Sequence, residues 1–81
     1  MKLKTLNYTI TLQKEPEGGY TVTVPALPGC ITYGKDVDEA KEMATEAISL
    51  YLDSLESHKE PIPIESNLLF TQVNIEKAYS H

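Results

Sequence analysis

The chain contains no arginine: its seven basic residues are all lysines, Lys2, Lys4, Lys14, Lys35, Lys41, Lys59 and Lys77, set against twelve carboxylates for a net charge of −5. Nucleic-acid binding rests on clustered cations that neutralise phosphates and on the bidentate arginine that reads base edges, so neither tool is present and direct nucleic-acid binding is not expected. Cysteine is also scarce. The single Cys30 excludes an internal disulfide, and no paired C-x-x-C spacing marks a zinc site, which fits a reducing cytoplasm. Long apolar runs are missing too. The charged start Met1-Lys2-Leu3-Lys4 is followed by no apolar core segment, and nothing approaches the roughly 18 to 20 apolar residues that span a bilayer, so neither secretion nor membrane insertion is expected. With 81 residues the chain has room for one domain, residues 1–81. A domain this small buries only about 60 to 65% of its unfolded surface, a thin margin that makes self-association an expectation.

What the sequence does contain is a clear succession of periodicities. Leu6, Tyr8, Ile10 and Leu12 alternate with Asn7, Thr9 and Thr11, the pattern of a half-buried strand. Glu15-Pro16-Glu17-Gly18-Gly19 is a turn, and a second alternating run from Tyr20 to Val24 completes a hairpin. Pro25 ends that strand, Ala26-Leu27-Pro28-Gly29 connects, and a brief third strand runs from Cys30 to Tyr33. Asp36 with Glu39 three residues on gives a capping pattern, so a helix begins at Val37. Its apolar positions, Val37, Ala40, Met43, Ala44, Ala47, Ile48, Tyr51, Leu52 and Leu55, form one face, and good helix formers persist to about Ser57 before Pro61 and Pro63 forbid continuation. Beyond Ser66, Leu69, Thr71, Val73 and Ile75 alternate with Phe70, Gln72 and Asn74, which predicts a fourth strand near Leu68 to Ile75, and residues 76–81 are expected to fray. The expected architecture is α+β, in the order β-β-β-α-β. One helix covers the sheet face bearing Tyr8, Ile10, Val22 and Val24, and the threonine-rich face stays wet. A helical crossover makes the fourth strand parallel to the third, placed beside either the third or the first.

Gly18-Gly19-Tyr20, Pro25-Ala26-Leu27-Pro28-Gly29-Cys30, Gly34, Asp38-Glu39-Ala40 and the exit Glu60-Pro61-Ile62-Pro63 form an ordered series. From about Tyr8 to Ser66 that series resembles the HicB antitoxin family, in which a glycine turn, a Leu-Pro-Gly-Cys loop, a Glu-Ala helix and a proline-rich exit follow one another in this order. The resemblance implies a partial ribonuclease-H-like fold, a four-stranded mixed sheet of order 3-2-1-4 with one helix on one face. It also implies a partner, a basic messenger-RNA-cleaving toxin of the HicA type, neutralised by complex formation without catalysis. The sequence ends after the fourth strand, without the helix-turn-helix or ribbon-helix-helix segment of longer members, so operator binding by this chain is not expected.

Metal-dependent nuclease chemistry requires carboxylates converging from strands onto two ions, and the first three strands carry none; no metal, cofactor or enzymatic activity is expected. Cys30 with His58 or His81 would make a nucleophile and base, or a set of metal ligands, but a lone cysteine ordinarily packs as a small apolar group and His58 falls at a helix end. Gly18-Gly19 lacks the strand-loop-Lys-helix context of a phosphate cradle. From Asp36 to Glu60, eight carboxylates face two lysines. Asp38, Glu42, Glu46 and Asp53 are the candidate partner-binding acids, the alternative being a solvated helix face. Leu27 and Pro28 are a second candidate contact: the leucine beside a rigid turn either anchors a partner or tucks into the core. A self-assembling scaffold or small-ligand domain without a toxin is the alternative function.

Overall fold

The computed structural model describes residues 5–65 and 68–79. Strands β1 (Thr11–Lys14), β2 (Tyr20–Thr23) and β3 (Ile31–Gly34) form an antiparallel sheet of order β1-β2-β3, and helix α1 (Val37–Ser57) lies across it. The hairpin register pairs Thr11 with Thr23, Leu12 with Val22 and Lys14 with Tyr20. Gly18 and Gly19, at φ +105° and +80°, make the turn in a backbone region that side chains avoid, and the Glu15 N–H closes it on the Gly19 carbonyl at 2.9 Å. On the far side of β2, Thr21 faces Tyr33 and Thr23 faces Ile31. Ile31 and Tyr33 are exposed, so the uncovered sheet face is less uniformly polar than its threonines suggest.

Helix α1 has the limits its sequence predicts. The Asp36 carboxylate accepts from the Glu39 N–H at 2.8 Å, and Glu39 in return accepts from the Lys35 N–H at 2.9 Å, so two backbone donors at the helix start are satisfied reciprocally. The helix ends in a Schellman arrangement. Glu60 N–H donates to the Leu55 carbonyl and Lys59 N–H to the Glu56 carbonyl, with Lys59 at φ +56° in the left-handed position usually given to glycine.

The core is small and has two parts. Val22, Ala40 and Ala44 are buried together under Ile10, Leu12 and Tyr20. Val24, Leu27 and Cys30 are buried with Tyr8, Ala47, Ile48, Tyr51 and Leu52 around them. Small residues on the helix permit close approach to the sheet, closest at Gly34, where a Cβ would stand 2.3 Å from the Ala40 nitrogen.

Two expectations are corrected. The first strand begins at Thr11, not Leu6. Carried back from Thr11 opposite Thr23, the register would set Thr9 against Pro25, which has no N–H to give, while on the other side of β2 Val24 N–H continues the pairing with the third strand by donating to the Cys30 carbonyl at 3.1 Å. The ladder therefore stops where β2 runs out of donors. The second correction concerns the four-stranded mixed sheet of order 3-2-1-4: among the described residues the sheet has three strands, all antiparallel, and residues 68–75 form no ladder. A segment with strand periodicity becomes a strand only when an edge is within reach, and this one projects from the body. The molecule measures 61 × 27 × 21 Å with a radius of gyration of 16.3 Å, against about 12 Å for a compact chain of this length.

Candidate functional site

The carboxylates on α1 are arranged by the same periodicity that builds its buried face. At about 100° per residue, Asp38, Glu42, Glu46, Asp53 and Glu56 fall within roughly 80° of one another around the axis, and Ala40, Ala44, Ala47 and Tyr51 occupy the opposite side. Asp38, Glu42, Glu46 and Asp53 are all exposed. Packing of the small residues on β3 and β2 thus turns an acidic stripe, about 30 Å long by the helical rise, directly to solvent. Acids in the first turn favour the helix dipole, but Asp53 and Glu56 stand near the C-terminus, with no basic residue in the last turn to offset them. Helix stability alone does not account for them.

The loop after β2 separates its two candidate residues. Leu27 is fully buried, and the nested turns Leu27 N–H to Val24 carbonyl and Cys30 N–H to Leu27 carbonyl, both 3.0 Å, carry it inward. It takes the core alternative. Pro28 beside it is exposed, and its carbonyl accepts a hydrogen bond from the Tyr51 hydroxyl at 2.8 Å. That bond ties the loop to the helix and displays Pro28 on a fixed turn, on the side of the helix away from the acidic stripe. Tyr51 was legible in the sequence only as an apolar helix position; its hydroxyl contact, 23 residues distant, gives no local signal.

Cys30 and His58 occupy different surroundings. Cys30 is buried beside Val24 and Leu27, and burial pushes its thiol above the ordinary value. His58 is exposed at the helix end, its Nδ1 2.7 Å from the Ser54 carbonyl. His81 lies outside the described residues. Among the described residues no three His, Cys, Asp or Glu side chains are grouped as metal ligands, and no helix is long and apolar enough to cross a membrane.

Two contacts that sequence reasoning missed anchor the helix exit to the start of the chain. The Tyr8 hydroxyl donates to the Pro63 carbonyl at 2.6 Å, and the Glu65 carboxylate accepts from both the Thr9 N–H and the Thr9 hydroxyl, at 2.5 and 2.6 Å. Beside them lies a cleft of about 250 Å³ lined by Leu6, Tyr8, Thr45, Ile48, Ser49 and Leu52.

The model of the HicB-like antitoxin of bacterial toxin-antitoxin systems matches residues 8–80. A UPF0150 protein of Thermoplasma acidophilum is 48% identical over 58 residues, covering 72% of this chain and 84% of the relative. A UPF0150 protein of Synechocystis is 46% identical over 59 residues, 73% of this chain and 75% of the relative. The Antitoxin HicB of Escherichia coli K12 is 38% identical over 63 residues, 78% of this chain but only 46% of that antitoxin. The chain belongs to the family of HicB-like antitoxins of bacterial toxin-antitoxin systems.

Proposed function

We propose that this chain is the antitoxin of a toxin-antitoxin pair, a non-enzymatic cytoplasmic domain that neutralises a basic, HicA-like messenger-RNA-cleaving toxin by forming a complex that covers its active site. Family membership supports the antitoxin role. The observation that carries the mode of binding is the exposed stripe of Asp38, Glu42, Glu46 and Asp53, held outward by the packed face of α1. A ribonuclease must present cations to its RNA, and carboxylates offered to the same cations gain both encounter rate and specificity. Pro28, on its fixed loop, is a secondary contact. The ribonuclease-H-like sheet order would require a fourth strand beside β1.

Affinity capture from the native cell tests the role: a small basic ribonuclease is expected in the eluate, and its repeated absence favours a scaffold that acts without a toxin. With the toxin in hand, Glu42→Gln together with Glu46→Gln should slow association and flatten its dependence on ionic strength. The fold should remain intact, because exposed charges contribute only about 0 to 1 kcal/mol each. An unchanged rate and salt slope would make the stripe a solvated face.

A further inference from the structure

Helix α1 carries apolar groups that its packing on the sheet leaves unused. Its buried side, marked by Ala40, Ala44, Ala47 and Tyr51, is centred about 90° around the axis from Leu50, which is 69% exposed. Met43, one heptad before Leu50, is half-buried and belongs to neither buried cluster. Each of the two is followed by an acid, so Met43, Glu46, Leu50 and Asp53 succeed one another at steps of three, four and three. Such steps keep the four within about 80° of one another, on a seam about 15 Å long along which apolar and acidic groups alternate.

The seam faces away from the first strand. Thr45, Ile48, Ser49 and Leu52 lie on the opposite flank of α1 and line the cleft shared with Leu6 and Tyr8, so Met43 and Leu50 lie on the flank toward β3. The helix exit is held on the first-strand side by the bonds of Tyr8 with Pro63 and Thr9 with Glu65. Leu50 stays exposed in the presence of the described exit and tail, which leaves the seam to another molecule. Charge selects that molecule. Docking on Met43 and Leu50 takes the carboxylates of Glu46 and Asp53 out of water, and a carboxylate so desolvated needs a cation. A second copy of α1 brings six carboxylates and one lysine, so copy against copy sets like charges together. A basic partner satisfies them. Its shape follows from the spacing, because groups recurring on average every 3.5 residues are what one helix presents to another packed along it.

We propose that Met43 and Leu50 are an apolar anchor on α1 for an amphipathic helix of the basic toxin, whose own apolar residues recur at the same spacing and whose lysines or arginines meet Glu46 and Asp53. This site presupposes the antitoxin reading and divides its work: the wider acidic stripe guides the encounter, and the anchor holds the complex once formed. Exposed charges act mainly on the association rate, buried apolar contacts on the dissociation rate. Kinetics therefore separate the two.

The test is the binding kinetics of the full chain with the basic ribonuclease that co-purifies with it, for the wild type, Leu50→Ala and Ser49→Ala. Leu50→Ala should keep the association rate and its salt slope but raise the dissociation rate about tenfold, the change expected when one buried leucine contact is lost. Ser49→Ala, on the opposite flank, should match the wild type. A photoreactive side chain placed at position 50 should crosslink to a helix of the toxin that bears lysine or arginine. Because Leu50 is exposed and alanine is the stronger helix former, the helical signal of Leu50→Ala should be undiminished. Its loss would mean that Leu50 serves the fold, and would overturn the proposal. So would an unchanged dissociation rate, an equal effect of Ser49→Ala, a crosslink to a strand or loop, or a self-association that Leu50→Ala abolishes, which would give the seam to a second copy. Each of these leaves the antitoxin reading standing, whereas a wild-type chain that holds no ribonuclease overturns both.

Discussion

Replacing Gly34 with alanine tests the closest approach in the fold. The new Cβ would lie 2.3 Å from the Ala40 nitrogen, 2.4 Å from its Cα and 2.9 Å from its Cβ, where ordinary contact begins at 3.4 Å. The first turn of α1 must therefore retreat by about 1.1 Å, the shortfall at the nitrogen. The obstructing atoms are mainly backbone, so no rotamer change relieves them. Retreat also loosens Ala40 and Ala44 from Val22, half of the buried core. Overpacking of this kind costs about 1 to 3 kcal/mol, and the upper end applies when the neighbour is backbone. Against this, replacing glycine by alanine restricts the unfolded chain and returns about 0.4 to 1 kcal/mol. The net loss is about 2 kcal/mol, out of a total stability of about 4 to 12 kcal/mol for a domain of this length. With a urea slope of about 1 kcal/mol per molar, the unfolding midpoint should fall by about 2 M. Adding Ala40→Gly should restore little, since it removes only the 2.9 Å contact and leaves the two shorter ones. A midpoint that is unchanged or raised in the single variant, or fully restored in the double, would refute the reasoning and show that the helix does not press its backbone on β3.

Two further perturbations probe the second half of the core. Tyr51→Phe deletes the hydrogen bond to the Pro28 carbonyl; the cost should be small, about 0.5 to 1.5 kcal/mol, but amide exchange at Leu27 and Cys30 should quicken as the loop loosens, and unaltered exchange would show that the bond does not hold it. Because burial raises the Cys30 thiol pKa, the folded chain keeps its proton where the unfolded chain has lost it, so stability is fully present below the unfolded value near 9.0 and declines as pH rises above it. Urea midpoints measured from pH 7 to pH 10 should fall over the upper part of that range relative to Cys30→Ala, and parallel curves would exclude the linkage.

The part of this protein that was legible in its sequence is the part stabilised by near neighbours. The hairpin turn needs Gly18 and Gly19 at positive φ, the helix start needs Asp36 and Glu39, and the helix cannot outlast Pro61; each is settled within a few residues, and α1 runs from Val37 to Ser57 as the sequence predicts. The acidic stripe was legible for the same reason, because a helical period places Asp38, Glu42, Glu46 and Asp53 opposite the alanines whatever they pack against. Tertiary structure decided the rest. Whether Leu27 faced a partner or the core depended on turns closed between Val24 and Cys30 and on the Tyr51 hydroxyl, and it went to the core. The first strand shortened because its register runs into Pro25, a fact of pairing that alternation in Leu6 to Leu12 does not encode. The contacts of Tyr8 with Pro63 and Thr9 with Glu65 span 55 and 56 residues, beyond the reach of any local pattern. Alternation from Leu69 to Ile75 states which side chains share a face, but a strand also needs an edge for its backbone hydrogen bonds, and local alternation does not encode whether one lies within reach.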